Sequence, residues 1–173
     1  MPPRVIVDNS RYSESTGSFI AEAAGDYADN DVVSDSDTPS AGTAIEFANA
    51  VRQAGGAAKI VDARLTFTAA GAIGATSELE LFSQAPTATE LDDNAAAGSV
   101  GAADLPFYLG SIPFSAGTDI GAATVALPTS LTPAAPLFIH AVATSIFGRL
   151  IFRDAETGET AAMPVDIVLY IEH

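Results

Sequence analysis

Nucleophilic catalysis needs a serine or cysteine beside a base, and this chain is poor in both partners. It has no cysteine and two histidines. His140 sits inside the apolar run LFIHAVAT, and His173 closes the sequence. His140 is expected to be a core or interface residue whose ring nitrogens are satisfied by neighbours. Ala97-Gly98-Ser99-Val100-Gly101 has the outline of a nucleophile elbow, with Ala at the first Gly position. That motif works only between a strand and a helix, where the turn lifts the serine into the open. Here it lies in an Ala/Gly-rich stretch with no strand ahead of it, so Ser99 reads as a loop serine. No catalytic residue is assigned.

Paired carboxylates can hydrolyse glycosides. With 22 Asp and Glu in the chain, pairs arise by abundance, and there is no Trp to stack a sugar ring. Glu78 and Glu80 fall on one side of one strand and read as a solvated face. Asp29, Asp31, Asp35 and Asp37 form one acidic run; Asp92, Asp93 and Asn94 form another. Calcium takes several oxygen ligands from such loops, but neither run has the EF-hand pattern. Turn chemistry and solvation account for both runs as well. Zinc lacks its usual ligands here. Neither a phosphate-cradling P-loop nor a G-x-G-x-x-G stretch is present. The expectation is a protein that needs no cofactor.

Charge narrows the partners. Seven Lys and Arg against the acidic residues give a formal net charge of −15. Nucleic acids and anionic membranes are bound by clustered Lys and Arg, and no such cluster exists, so neither is expected as a partner. No apolar run approaches the ~18 residues that span a bilayer. MPPRVIVDNSRY lacks a signal-peptide core, so the chain reads as made in a cytoplasm and left soluble. Acidity of this size favours solubility; a high-salt setting is a second reading. With 48% hydrophobic residues the chain is not a disordered acidic tail.

The elements that would position any site are strands. In Lys59–Phe82, Val61, Ala63, Leu65 and Phe67 alternate with Asp62, Arg64, Thr66 and Thr68; later Leu79 and Leu81 alternate with Glu78 and Glu80. Alternation puts apolar side chains on one face of a pleated strand. With the Gly/Ala linker between them, the two runs read as a β-hairpin with one wet face. Further strands are expected at Ser18–Ala23, Asp31–Ser34, Thr43–Arg52, Phe107–Phe114, Thr118–Leu127, Leu137–Thr144, Gly148–Arg153 and Met163–Ile171. Thr43–Arg52 favours a strand over an Ala-rich helix, hairpinned to the next strand through Gly55-Gly56. Leu137–Thr144, nearly all apolar, reads as a central strand. Between Ser83 and Ala103, Thr87–Glu90 has capping-box spacing, with a helical turn expected around Leu91–Ala97. Short strands at regular spacing give an all-β class: an antiparallel sandwich, jelly-roll-like, over residues 17–173. Residues 1–16 read as an extended N-terminal arm, either docked on a neighbour or loose.

The order of these pieces carries a resemblance. TAIEFANAVR precedes a Gly-Gly turn and the strand from Lys59. SELELFSQAPTATELDDNAAAG follows, then DLPFYLGSIPF, then LFIHAVATSIFGRLIF. Across residues 17–171 this succession resembles the head decoration, or cement, proteins of tailed bacteriophages. Its most distinctive part is LF-x-x-x-P…DNAAA followed by the YLGSI strand, with Glu90-Leu91-Asp92 inserted ahead of Asp93-Asn94. The resemblance implies a jelly-roll-like sandwich that clips onto the outer surface of a capsid without catalysis. It implies the major capsid protein as partner and residence on the virion. A symmetry-bound sandwich suits a homo-oligomer, trimer or dimer. The expected interface residues are Arg4, Val5 and Ile6 on the arm, with Tyr12 and Tyr108 as exposed aromatics. The other reading is a carbohydrate- or receptor-binding module of a phage fibre or tail.

Overall fold

The computed structural model describes residues 11–22, 25–68, 73–120, 123–127, 137–156 and 162–173. Of the expected interface residues, Arg4, Val5 and Ile6 lie outside these. Strand β1 (Tyr12–Ala21) is followed by β2 (Val32–Val33), β3 (Ile45–Phe47), β4 (Ala57–Phe67), β5 (Ser77–Phe82) and β6 (Tyr108–Phe114). Then come β7 (Thr118–Asp119), β8 (Thr124–Ala126), β9 (Leu137–His140), β10 (Ile146–Phe152) and β11 (Met163–Glu172). A 3-10 turn, Leu105–Phe107, leads into β6. Among the described residues there is no α-helix.

The strands form two antiparallel sheets. One runs β1-β11-β4-β8-β7, with β9 also on β4. The other runs β2-β10-β5-β6, with β3 also on β10. The chain passes back and forth between them, and their inner faces pack together as a β-sandwich. Treating β2 with β3, and β7 and β8 with β9, as single edges, this strand order is that of an eight-stranded jelly roll.

Side-chain alternation builds the core. Leu65, Phe67, Ile167 and Leu169 point inward from the first sheet; Leu79, Leu81, Leu150 and Phe152 point inward from the second. The Phe67 and Phe152 rings lie 5.6 Å apart across the sheets, and Tyr27 meets Phe152 edge-on at 5.1 Å. Burying each large side chain in this way contributes roughly 1.5–3 kcal/mol.

The fold corrects several expectations. Strands β4 and β5 are not a hairpin, because each lies in a different sheet and pairs with other strands. Alternation assigns faces but not partners, and packed sheets stand ~10 Å apart, too far for strands of different sheets to share a ladder. Likewise β3 pairs with β10 and makes no hairpin with β4. The strand ends at Phe47, where Asn49 takes a left-handed φ of 57°. Val61 does not join the buried row. The β4–β11 register slips between Tyr170 and Ile171, so Val61 is the extra residue of a β-bulge and turns outward. Strand β9 is half-exposed and four residues long, not a central strand. No helical turn forms at Leu91–Ala97. The boundary expected after residue 16 falls inside β1, whose first residue, Tyr12, is already paired with Glu172.

Candidate docking face and the sealed face opposite

The outer face of the first sheet is open, and register decides what it displays. Tyr12 stands opposite Glu172, Glu172 opposite Lys59, and Lys59 opposite Phe138. One row across four strands therefore reads aromatic, acid, base, aromatic. Glu172 is 8% exposed and is ion-paired with both Arg11 and Lys59. The hydrogen bond from Lys59 outweighs burial, and with the Arg11 charge it holds the Glu172 carboxyl below its usual range. Tyr12 is 57% exposed and Phe138 73% exposed. The Arg11 guanidinium lies 5.9 Å from the Tyr12 ring centre, within cation–π range.

Two shallow depressions flank this row. Tyr12, Glu14, Val61, Asp62 and Tyr170 line one. Arg11, Ala57, Lys59, Phe138 and His173 line the other. The bulge that ejects Val61 supplies an apolar floor. Arg11, Lys59 and Arg64, three of the seven basic residues, are on this face. Aromatic side chains and Arg within a polar rim are the composition of protein–protein interfaces. His140 is exposed here too, since it alternates with buried Leu137 and Ile139 along β9. That removes the core half of its expected core-or-interface role.

The outer face of the second sheet is covered over its centre, contrary to the solvated face expected for Glu80, while Glu78 stays partly exposed. Chain 83–104 lies over it. Arg149 is 1% exposed and Glu80 8% exposed. Arg149 Nε and Nη2 donate to Glu80 Oε2 at 3.0 and 2.5 Å. Its Nη1 donates to the carbonyls of Ala97 and Glu90 at 2.5 and 3.1 Å, fixing the loop to the sheet. Arg153 Nε donates to Glu78 at 2.7 Å. Val32, Ile151 and Ala97 form a small apolar cluster under the loop. The loop also extends the β2 edge: Asn94 N–H donates to Val32 O, and Val32 N–H to Ala95 O, both at 2.9 Å.

The expected capping box is replaced by a carboxylate from farther along the chain. Asp104, 1% exposed, accepts the N–H groups of Thr87 and Ala88 at 2.9 and 2.8 Å and the Thr89 hydroxyl at 2.7 Å. Burial pushes its pKa up, but these hydrogen bonds outweigh burial and leave it lowered.

The acidic runs Asp29–Asp37 and Asp92–Asn94 come together beside β2, and the carboxylates of Asp31, Asp35 and Asp92 accept backbone donors. Asp92 accepts the N–H groups of Ser40, Ala41 and Gly42 at 2.6, 3.1 and 3.0 Å. Asp35 accepts the Thr43 N–H and hydroxyl at 2.8 and 2.5 Å. Asp31 accepts the Ala28 N–H at 2.7 Å. Among the described residues no cluster of three or more His, Asp or Glu is arranged to hold a metal ion.

Tyr12 and Tyr108 are both exposed aromatics, but they stand on different sheets and form no common site. Tyr108 starts β6, 37% exposed, with its ring 5.7 Å from Phe82. Burial raises its hydroxyl pKa, and the nearby Glu80 and Glu78 charges add to this, while a hydrogen bond with Ser111 opposes it. Ser99 is exposed beyond Gly98, far in the topology from both histidines, which lie with the first sheet.

No family model matches the chain, and no curated protein matches it. Among solved structures, a chain from Sacbrood virus of honeybee aligns over 93% of this chain and 68% of that one, at 10% identity and a TM-score of 0.24. A likeness at that score carries no argument about function.

Proposed function

We propose that this protein is a non-enzymatic structural protein of a virion, a decoration or cement protein bound to the outer surface of a phage head. The observation that carries the reading is the asymmetry of the two outer faces. One is covered over its centre by its own loop and a buried ion pair. The other leaves Tyr12, Tyr170 and Phe138 around the Arg11–Glu172–Lys59 row. The resemblance in strand order and the jelly-roll topology, an architecture used by viral capsid and lectin domains, support the same reading. The acidic body would be repelled by packaged DNA and suits an exterior position.

In this reading the open face lies on the major capsid protein, bridging subunits so that each contact opposes their separation. A stable interface of this type buries about 800 Å² on each partner. The protein would act as a homo-oligomer, trimer or dimer, and residues 1–10, including Arg4, Val5 and Ile6, would add contacts beside the face where Arg11 enters β1.

The test adds purified protein to phage heads lacking it, then measures bound copies and the temperature of DNA release. Binding in a fixed ratio to capsid protein, with release moved to higher temperature, is expected. Absence of binding to heads, with retention on a glycan array or host cells, would replace cementing by the fibre or tail module.

A further inference from the structure

A buried carboxylate sits where the cover loop meets the sandwich. Asp93 is 3% exposed. It accepts the Ser34 N–H at 2.6 Å, and Tyr27 Oη lies 3.0 Å from each of its carboxylate oxygens. Its own N–H donates to Ser36 O at 2.6 Å. Tyr27 is buried against Phe152, and its backbone exchanges hydrogen bonds with Glu156 at 2.8 and 3.1 Å. Asp93 thus ties the loop to the end of β2 and, through Tyr27, to the core.

The charges around it are nearly all negative. Glu22 follows β1; Asp31 precedes β2, and Asp35 and Asp37 follow it; Asp92 is the neighbour in the loop. Beyond Tyr27, at the end of β10, stand Glu156 and Arg153. Arg153 is committed to Glu78 and to Asn30 Oδ1. Among the described residues no ion pair reaches Asp93. A carboxylate that leaves water without a cation is penalised in its charged form.

We propose that Asp93 is a proton-operated latch. Uptake of a proton on mild acidification tightens the hold of the 83–104 loop on the sandwich, and its loss near neutrality loosens that hold. The geometry serves both states. When Asp93 is ionised, one Tyr27 proton is shared between two acceptor oxygens 3.0 Å away. When it is neutral, the carboxyl proton occupies one of those two contacts. Burial above all, with the Glu22 and Asp37 charges, raises the group to about 6 against the opposing bonds from Ser34 and Tyr27. Because this folded value exceeds the unfolded one, stability falls as pH rises from about 4 to about 6 and levels off above.

The experiment compares melting temperatures of the wild type and Asp93→Asn from pH 7.5 to 5 at fixed ionic strength. Alongside it runs a ¹³C NMR titration of the Asp93 carboxyl in the wild type. Asparagine imitates the protonated carboxyl. The variant should melt higher than the wild type at pH 7.5, by roughly 5 °C, with the gap narrowing below about pH 6 to roughly half at pH 5. The carboxyl should titrate near 6. A gap that does not change with pH, or a carboxyl midpoint below about 4.5, overturns the latch. If Asp93→Asn does not fold, the wild-type titration decides alone.

Discussion

Arg149 and Glu80 face each other across neighbouring strands of the second sheet, Nη2 to Oε2 at 2.5 Å, on a face that alternation alone assigns to water. The same guanidinium holds two loop carbonyls, so this one residue joins sheet and cover. Removing it leaves Glu80 buried without its partner and two carbonyls without a donor. Arg149→Met should destabilise the fold by about 3–5 kcal/mol, the range for breaking a buried pair from one side. Urea unfolding measures it. A loss below about 1 kcal/mol would mean that water reaches the pair as it does at a surface bridge.

Asp104 performs the matching task at the other end of the loop. Asp104→Asn keeps one acceptor oxygen but turns an amide NH₂ toward groups that are themselves donors. A loss of about 2–3 kcal/mol is expected, since buried donors are left unmatched. The pH dependence has a definite sign. The folded pKa is lowered, so the stabilisation is present above the unfolded value near 4 and disappears as pH falls through the folded value. Stability curves of wild type and Asp104→Asn should therefore converge in acid. Parallel curves down to pH 2 would remove Asp104 from the acid transition.

Much of the fold is legible in the residues, and the failures share a cause. Alternation in β4 and β5 identifies the inward residues Leu65, Phe67, Leu79 and Leu81, because the pleat leaves a side chain no other choice. It is silent about what covers the other face. Glu80 looks like a wet residue until the 83–104 loop is in place, and pairing β4 with β5 required knowing which sheet each strand entered. Arg149 alone offered a warning: a single charge inside IFGRLIF is rarely left to itself, and its acid had to come from elsewhere. Asp104 and Glu172 gave none, since an acid in a chain rich in acids carries no mark. Tyr12 was legible as an exposed aromatic, whereas Phe138 was hidden in a run that reads as core.

Gly148 tests how tightly the inner face of the second sheet is packed. It lies in β10 with its missing side chain facing the core. A Cβ there would stand 2.8 Å from Leu79 Cδ1 and 3.0 Å from Phe47 Cε2. Both neighbours are fully buried, so neither can swing into solvent. Gly148→Ala should destabilise by about 1–3 kcal/mol through overpacking. Adding Leu79→Val should recover part of that loss, a non-additivity expected of touching residues and readable in a double-mutant cycle. Strict additivity would place the strain elsewhere.

The open face gives the prediction that separates binding from folding. Tyr12 and Phe138 lie at opposite ends of the row centred on Glu172, and both are largely in solvent. Tyr12→Ala and Phe138→Ser remove little that the folded chain uses, so each should change unfolding free energy by no more than about 0.5–1 kcal/mol. If this face docks on a capsid, each side chain becomes a buried anchor. Truncating such an anchor typically removes about 1–2 kcal/mol of binding, roughly a tenfold loss of affinity for heads. Tyr108→Ala is the control, since that ring belongs to the second sheet and packs against Phe82. Its effect should appear in stability and not in binding. Head binding unaffected by the first two substitutions but lost with Tyr108→Ala would move the contact to the second sheet, because no change confined to one face of a sandwich reaches an interface on the other without first loosening the core between them.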